Sequence, residues 1–409
     1  MGLNDTPAAN RIHIAFFGRR NTGKSSLVNA VTGQDLAVVS EVKGTTTDPV
    51  RKAMELLPLG PVLIIDTPGI DDEGPLGELR IRRTRQELNK TDVAVLVLDA
   101  SEKTAGGGFL QDVEKEFFDI FQAKGIPCVI AANKSDLLEG SPEGLPGGAI
   151  PVSAKNGDNI PALKERIVSL AAAEEPQTRL VGDLIRPADL VLLVTPIDHS
   201  APKGRLILPQ QQTIRDILEA GGVAVAAQEG QLRETLKQLG KKPRLVITDS
   251  QVFAEVAAEL PLDIPLTSFS ILFARYKGGL ESAVRGVTAL DHLKSGDKIL
   301  IAEGCTHHRQ CEDIGTVKLP RWIKNYRSTE TEFCFCSGGE FPEDLSAYAL
   351  IVHCGGCMLN DREMQYRRRC AEDQLIPFTN YGMVIAQVQG ILRRSLAVFS
   401  SQLTPPPAA

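Results

Sequence analysis

A chain of 409 residues, 43% hydrophobic and 23% charged, exceeds one core of ordinary size, so two or three domains are expected. Its apolar runs fall short of the roughly eighteen residues that a membrane-spanning helix needs, and a net charge of −6 argues against a broad phosphate-binding face. Neither a membrane nor a nucleic-acid partner is expected; the first ten residues lack the basic flank and apolar stretch of a secretory signal, so a cytoplasmic location is the expectation.

From residue 11 to about 172, apolar strand-like runs at 12–17, 62–66, 93–99, 128–133 and 149–153 alternate with helical patterns, the signature of a parallel α/β sheet. The first run leads into Gly18-Arg19-Arg20-Asn21-Thr22-Gly23-Lys24-Ser25, a complete phosphate loop, with Ser26 continuing into a helix. Gly18 and Gly23 let backbone N–H groups face the phosphates, Lys24 neutralises their oxygens, and Ser25 supplies a hydroxyl to Mg2+. Thr46, in the polar segment 44–48, is the expected switch threonine closing on that metal. Asp66-Thr67-Pro68-Gly69 follows the next run: Asp66 can hold the Mg2+ shell, and Gly69 can offer an N–H to the γ-phosphate. Asn133-Lys134-Ser135-Asp136 sets the base. A carboxylate at Asp136 pairs with the two donors of guanine, whereas adenine would leave the charge unpaired. Ser153-Ala154-Lys155 completes the pocket, which makes GTP and GDP the expected nucleotides.

A polar linker near 175 ends this first domain, taken as 1–174. The middle stretch, 175–266, repeats the alternation with predicted strands at 190–195, 223–227 and 244–249 and helices at 210–220, 231–239 and 251–259. It carries no phosphate loop and no ligand cluster, which points to assembly, a homodimer in particular. The last domain, 267–409, has a predicted helix at 270–277, strands at 299–302, 332–336 and 349–353, a helix at 361–373, an apolar stretch at 381–399 and a Pro-rich tail expected to be disordered. Arg367, Arg368 and Arg369, with Glu363, Glu372 and Asp373 nearby, read as a solvated helix face. The fold class is therefore α/β throughout, with a nucleotide domain, a small middle domain and a C-terminal metal domain.

Of eight cysteines, Cys128 stands alone and seven fall between Cys305 and Cys370. In a reducing compartment such clustering indicates metal ligands more than disulfides. Cys305-Thr306-His307 follows one predicted strand, and His353-Cys354-Gly355-Gly356-Cys357 follows another. Parallel strands end on one edge, so the two groups can converge there. Thiolates with histidine suit either closed tetrahedral Zn2+ or a 4Fe–4S cluster. Cys334 and Cys336 read as strand packing, and His308, Cys311 and Cys370 take no assigned role.

The nucleotide motifs resemble the translation-factor-related GTPases, in the branch typified by the tRNA-modification GTPase MnmE and Era. That resemblance implies a K+ ion held with the help of Asn21, the P-loop position that serves it in the branch. Ile70 stands where Ras-like proteins carry a catalytic glutamine, leaving Asp71, Asp72 and Glu73 as candidates to orient water. A GTPase joined to Cys-x-His and then His-Cys-x-x-Cys resembles the HydF family of FeFe-hydrogenase maturation GTPases over essentially the whole chain, Thr195-Pro196-Ile197-Asp198-His199 included. The resemblance implies a 4Fe–4S cluster on Cys305, Cys354 and Cys357, with His307 and His353 as candidates for a replaceable fourth ligand. It implies a scaffold that holds a diiron precursor and passes it to apo-FeFe-hydrogenase, with radical-SAM maturases as further partners. The alternative is a zinc-containing GTPase of RNA modification or ribosome assembly.

Overall fold

The structure, a computed structural model, describes residues 6–33, 49–71, 81, 83–104, 108–138, 144–172, 179–196, 206–304, 313–400 and 403. It divides into two compact units, Met1–Glu175 and Pro176–Ala409.

The first unit is built on a six-stranded sheet of order β2-β3-β1-β4-β5-β6. These strands are β1 (Ile12–Phe17), β2 (Val50–Leu56), β3 (Gly60–Asp66), β4 (Val93–Asp99), β5 (Cys128–Asn133) and β6 (Ile150–Pro151). Every pairing is parallel except β2 with β3. Burial on both faces explains the uninterrupted apolar runs: all seven residues of β4 are buried. Alternate residues still serve different cores. Ile14 and Phe16 pack with the helices Lys24–Thr32 and Ile160–Ala172 on one face, while Ala15 and Phe17 pack with Phe117 and Phe121 of the helix Asp112–Ala123 on the other. β2 escaped the sequence reading because only Leu56 at its end is buried, so it carries no apolar run.

The second unit contains two four-stranded sheets, all parallel. One comprises β7 (Leu190–Val194), β8 (Val223–Ala227), β9 (Leu245–Thr248) and β10 (Leu266–Ser268), in the order β10-β9-β7-β8. The other comprises β11 (Lys298–Glu303), β12 (Glu332–Ser337), β13 (Leu350–His353) and β14 (Phe378–Asn380), in the order β14-β13-β11-β12. The two orders are the same topology. The three-residue strands β10 and β14, too short to show a period, were not anticipated, and the expected 266/267 boundary falls inside β10. A single apolar cluster runs through both sheets, from Leu180 to Phe399.

The repetition reaches individual residues. Ile264-Pro265-Leu266-Thr267-Ser268 leads into the helix Phe269–Tyr276, and Ile376-Pro377-Phe378-Thr379-Asn380 leads into the helix Tyr381–Val388. Each helix is capped by the last strand residue, Ser268 accepting from the Ile271 N–H at 3.3 Å and Asn380 from Met383 at 2.9 Å. Ser270 and Gly382, at matching positions, touch: the Gly382 N–H donates to Ser270 Oγ at 3.2 Å, and a Cβ on Gly382 would lie 2.8 Å from that of Ser270. Matching positions of the two repeats therefore meet at this contact.

Candidate functional site

In the first unit the phosphate loop leaves β1 and enters the helix Lys24–Thr32. Lys24 Nζ, buried, donates to the loop's own carbonyls at Gly18 (2.8 Å) and Arg19 (2.6 Å). Ser25 Oγ donates to Asp66 Oδ2 at 2.5 Å, and Asp66 Oδ1 is buried without a hydrogen-bond partner. Burial raises the Asp66 pKa, with Ser25 and Lys24 opposing. A buried carboxylate oxygen left open beside a P-loop hydroxyl fits the hydration shell of Mg2+. The base end is equally well built. The Asn133 amide donates to Thr22 O at 2.9 Å and its oxygen accepts the Ala154 N–H at 3.0 Å, which ties the base loop to the phosphate loop. Asp136 accepts from Ser153 Oγ at 2.7 Å, and Lys134 pairs with Asp99 at 2.5 Å. Gly23, Ser26, Asn133, Lys134, Asp136, Ala154 and Lys155 line a pocket of about 670 Å3.

Asn21 is exposed and adopts a left-handed φ of 62°. Gly69 packs against the phosphate loop at Arg20, and Asp71 Oδ1 accepts the Arg20 backbone N–H at 2.7 Å. Asp71, a candidate to orient water, is thus engaged with the loop. Thr46, Asp72 and Glu73 lie outside the described residues.

In the second unit Cys354 and Cys357 sit just past β13 on a turn that Gly356 makes with φ +64°. The Cys354 sulfur accepts two backbone N–H groups, Gly304 at 3.1 Å and Gly356 at 3.4 Å. Burial pushes the Cys354 thiol up to about 11, and those two donors pull against it. The buried Lys277 ammonium hydrogen-bonds the Leu359 carbonyl and pairs with Asp361 at 3.4 Å, which anchors the segment after the cysteines. Burial raises the Cys357 pKa, and Lys277 counteracts it. Without a metal, burial keeps both thiols protonated, but the two N–H donors at the Cys354 sulfur and the Lys277 charge oppose that rise and would stabilise the thiolates a soft metal needs, so these residues fit such a group. Cys305, His307, His308 and Cys311 lie outside the described residues, as do Ile197, Asp198 and His199. Among the described residues no three His, Cys, Asp or Glu side chains converge as a metal site.

His353 is fully buried and closed in. Its Nδ1 lies 2.8 Å from the Cys354 carbonyl and its Nε2 3.0 Å from Arg367 Nη1. Burial, reinforced by the Arg367 guanidinium, lowers the imidazole to about 3, so it is neutral. Arg367 corrects the reading of 367–369 as a solvated face: its side chain is 0% exposed, and of the three only Arg369 is exposed. The helix Asp361–Asp373 buries Glu363, Arg367 and Ala371, a stripe at i, i+4 and i+8 that is polar where a core stripe is ordinarily apolar. Sequence reasoning missed Arg367 and Lys277. The i, i+4 spacing of Glu363 and Arg367 is the signal that was there to find. Cys334, Cys336 and Cys370 pack against a small cluster around Ile351.

Comparison with known proteins agrees with this division. Residues 13–134 match a family model described as 50S ribosome-binding GTPase, residues 180–278 the hydrogen maturase F dimerization domain, and residues 281–398 the hydrogen maturase F tetramerization domain. Among curated relatives, the tRNA modification GTPase MnmE of Xylella fastidiosa is 37% identical over 169 residues, 41% of this chain and 35% of that protein. GTPase Der of Wolinella succinogenes is 33% identical over 184 residues, 40% of this chain and 36% of that protein. The chain spans about a third of the length of these relatives. Solved structures with similarity include Aquifex aeolicus Era bound to GDP and AlF4−, at 20% identity, 53% of this chain, 91% of that chain and TM-score 0.35. NFeoB of S. thermophilus bound to GDP and AlF4− matches at 22% identity, 42% of this chain, 69% of that chain and TM-score 0.30. No helix among the described residues is long and apolar enough to cross a membrane. With a GTPase domain followed by two hydrogen maturase F domains that together cover more than half of it, the chain belongs to the hydrogen maturase F family.

Proposed function

We propose that the chain is a GTP-hydrolysing scaffold of FeFe-hydrogenase maturation that carries a 4Fe–4S cluster on Cys305, Cys354 and Cys357 and delivers a diiron precursor to apo-FeFe-hydrogenase. The observation that carries the reading is the Cys354 sulfur held by two backbone N–H donors at the end of β13, in a chain of this family. Bound there, such a cluster supplies an iron with an exchangeable position. Cys354 and Cys357 would hold it from one turn, Cys305 from the end of the neighbouring strand, and Lys277 would offset its negative charge. Radical-SAM maturases would supply the precursor.

On the nucleotide side, Lys24 would leave the Gly18 and Arg19 carbonyls for the β- and γ-phosphate oxygens, where a cation stabilises the charge that develops on transfer. Ser25, Asp66 and Thr46 would hold Mg2+, which neutralises the same oxygens. Gly69 would donate its N–H to the γ-phosphate, and Asp136 would select guanine. K+ near Asn21 would supply the further positive charge, making hydrolysis K+-stimulated. β8 supports a homodimer through the middle sheet: among the described residues it is an edge strand, with Val223 47% exposed and Leu218 on the adjoining helix 59% exposed.

The test is in-vitro maturation of apo-FeFe-hydrogenase with anaerobically loaded wild-type and Cys354→Ala protein. Activation is expected from wild type alone. Equal activation by both, or a colourless wild type holding one zinc per chain, removes the carrier role. Lys24→Ala is expected to abolish GTP hydrolysis while leaving iron content unchanged.

A further inference from the structure

We propose that Arg367 holds the His353 imidazole off the metal, so that His353 orients Cys354 as a positioning residue and is not itself a ligand; this rests on the reading of Cys354 and Cys357 as cluster ligands. The argument is one of donors and acceptors. Arginine carries only donors, so at 3.0 Å from Arg367 Nη1 the His353 Nε2 has to accept. That assigns the proton to Nδ1, which donates it to the Cys354 carbonyl at 2.8 Å. Both ring nitrogens are then committed. For Nε2 to bind iron, its lone pair must leave a guanidinium that has no access to water, and a buried charged donor loses its partner. For Nδ1 to bind iron, the ring must shed that proton and break with the carbonyl.

Arg367 is itself held from several sides. Its Nε and Nη2 donate to Glu363 Oε1 at 2.9 and 2.7 Å, Nη2 also reaches the Gly338 carbonyl, and the guanidinium lies 5.2 Å from the centre of the Phe341 ring. The imidazole meanwhile stacks on Phe378, with ring centres 5.9 Å apart and planes 29° apart. The connected path runs from Glu363 through Arg367 and His353 to the carbonyl of Cys354. It orients the peptide plane that opens the Cys354-Gly355-Gly356-Cys357 turn, and so the sulfur that accepts from Gly304 and Gly356. An exchangeable ligand has to come and go, and a side chain wedged this firmly cannot. The replaceable position therefore falls to a group outside β13.

The experiment reconstitutes the cluster anaerobically in the full chain and records iron per chain together with pulsed-EPR nitrogen couplings of the reduced cluster, with and without 15N-histidine. His353→Gln offers Arg367 an acceptor where Nε2 stood. The variant keeps Arg367 partnered but loses the imidazole donor to the Cys354 carbonyl, so it is expected to lose no more iron than Arg367→Gln and to keep any histidine coupling that wild type shows; loss of a directly bound histidine nitrogen in this variant overturns the proposal. Arg367→Gln is expected to weaken iron retention on the order of tenfold, the usual cost of losing a group that orients a ligand, with partial recovery in Arg367→Lys. Retention equal to wild type in Arg367→Gln also overturns it. Far-UV circular dichroism separates loss of iron from loss of fold, and should Arg367→Gln not fold, the His353→Gln couplings decide alone. A wild type that takes up no iron brings down the cluster reading and this inference with it, whereas an iron-loaded wild type whose histidine coupling vanishes in His353→Gln brings down this inference only.

Discussion

The two sheets of the second unit share a strand order, a capped helix after the last strand and a contact between like residues, yet their C-terminal edges are made of different chemistry. After β9 come Asp249 and Ser250; at the same place after β13 come Cys354 and Gly355. The residue that ends β9, Thr248, donates its hydroxyl to the Val194 carbonyl at 3.2 Å, while its counterpart His353 reaches Arg367. The helices behind them differ in kind. Phe253–Glu259 buries Phe253 and Val256, whereas Asp361–Asp373 buries Glu363 and Arg367. One skeleton therefore supports an edge by apolar packing in the first sheet and by a charged network in the second. Local rules of patterning tend to break where a site must be held, and here they break on one side of the repeat only.

The sharpest way to break the comparison is to remove each support in turn. Arg367→Met leaves the Glu363 carboxylate buried and unpaired, with an expected loss of about 3–5 kcal/mol in the second unit's denaturant unfolding. Phe253→Ala empties a packed site, and a similar loss of about 3–5 kcal/mol is expected. The two differ in how they are rescued. Glu363→Gln combined with Arg367→Met removes the stranded charge and should recover a large part of the loss, whereas no polar change near residue 253 restores a missing ring. Failure of that double variant to recover stability would mean that the charge pair is not what supports the second edge.

Much of this was legible beforehand, for reasons that differ from residue to residue. The phosphate loop and the guanine motif are short, contiguous and tied to strand ends, so type and position were both readable. β1, β4, β5 and β8 occupy the residues expected of them because buried parallel strands are uninterrupted apolar runs. β10 and β14, three residues each, have too few positions to show a period. The Cys354-Gly355-Gly356-Cys357 turn stood out by composition, but the side chains that hold it did not. Burial of Arg367 depends on Gly338 and Phe341, nearly thirty residues away, and that of Lys277 on Leu359 and Asp361, more than eighty away. A charge in a sequence reads as solvated until its partners are known.

A second, smaller test exchanges Ser270 and Gly382, the pair of matching positions that touch. Gly382→Ala brings a methyl group to within 2.8 Å of the Ser270 Cβ, and overpacking of this kind costs about 1–3 kcal/mol. Ser270→Gly alone removes the hydroxyl that accepts the Gly382 N–H. If the halves are equivalent at this contact, the swapped variant Ser270→Gly/Gly382→Ala should be more stable than Gly382→Ala alone, as measured by thermal unfolding. A swapped variant no better than Gly382→Ala would confine the repeat to strand order.

The smallest expected effect separates the edges by function. Asp249 holds the position of Cys354, and its Oδ1 accepts the Gln251 N–H at 2.9 Å, a capping bond worth about 1 kcal/mol. Asp249→Ala should lower stability by about that much and leave iron per chain unchanged. Cys354→Ala should lose iron, at a cost to the metal-free chain that is also about 1 kcal/mol, because the Gly304 and Gly356 N–H groups lose the sulfur that accepts them. The two substitutions sit at one point of the repeated topology, so any difference between them comes from chemistry and not from place. Iron lost equally in both would mean that the first sheet's edge also contributes to holding the metal.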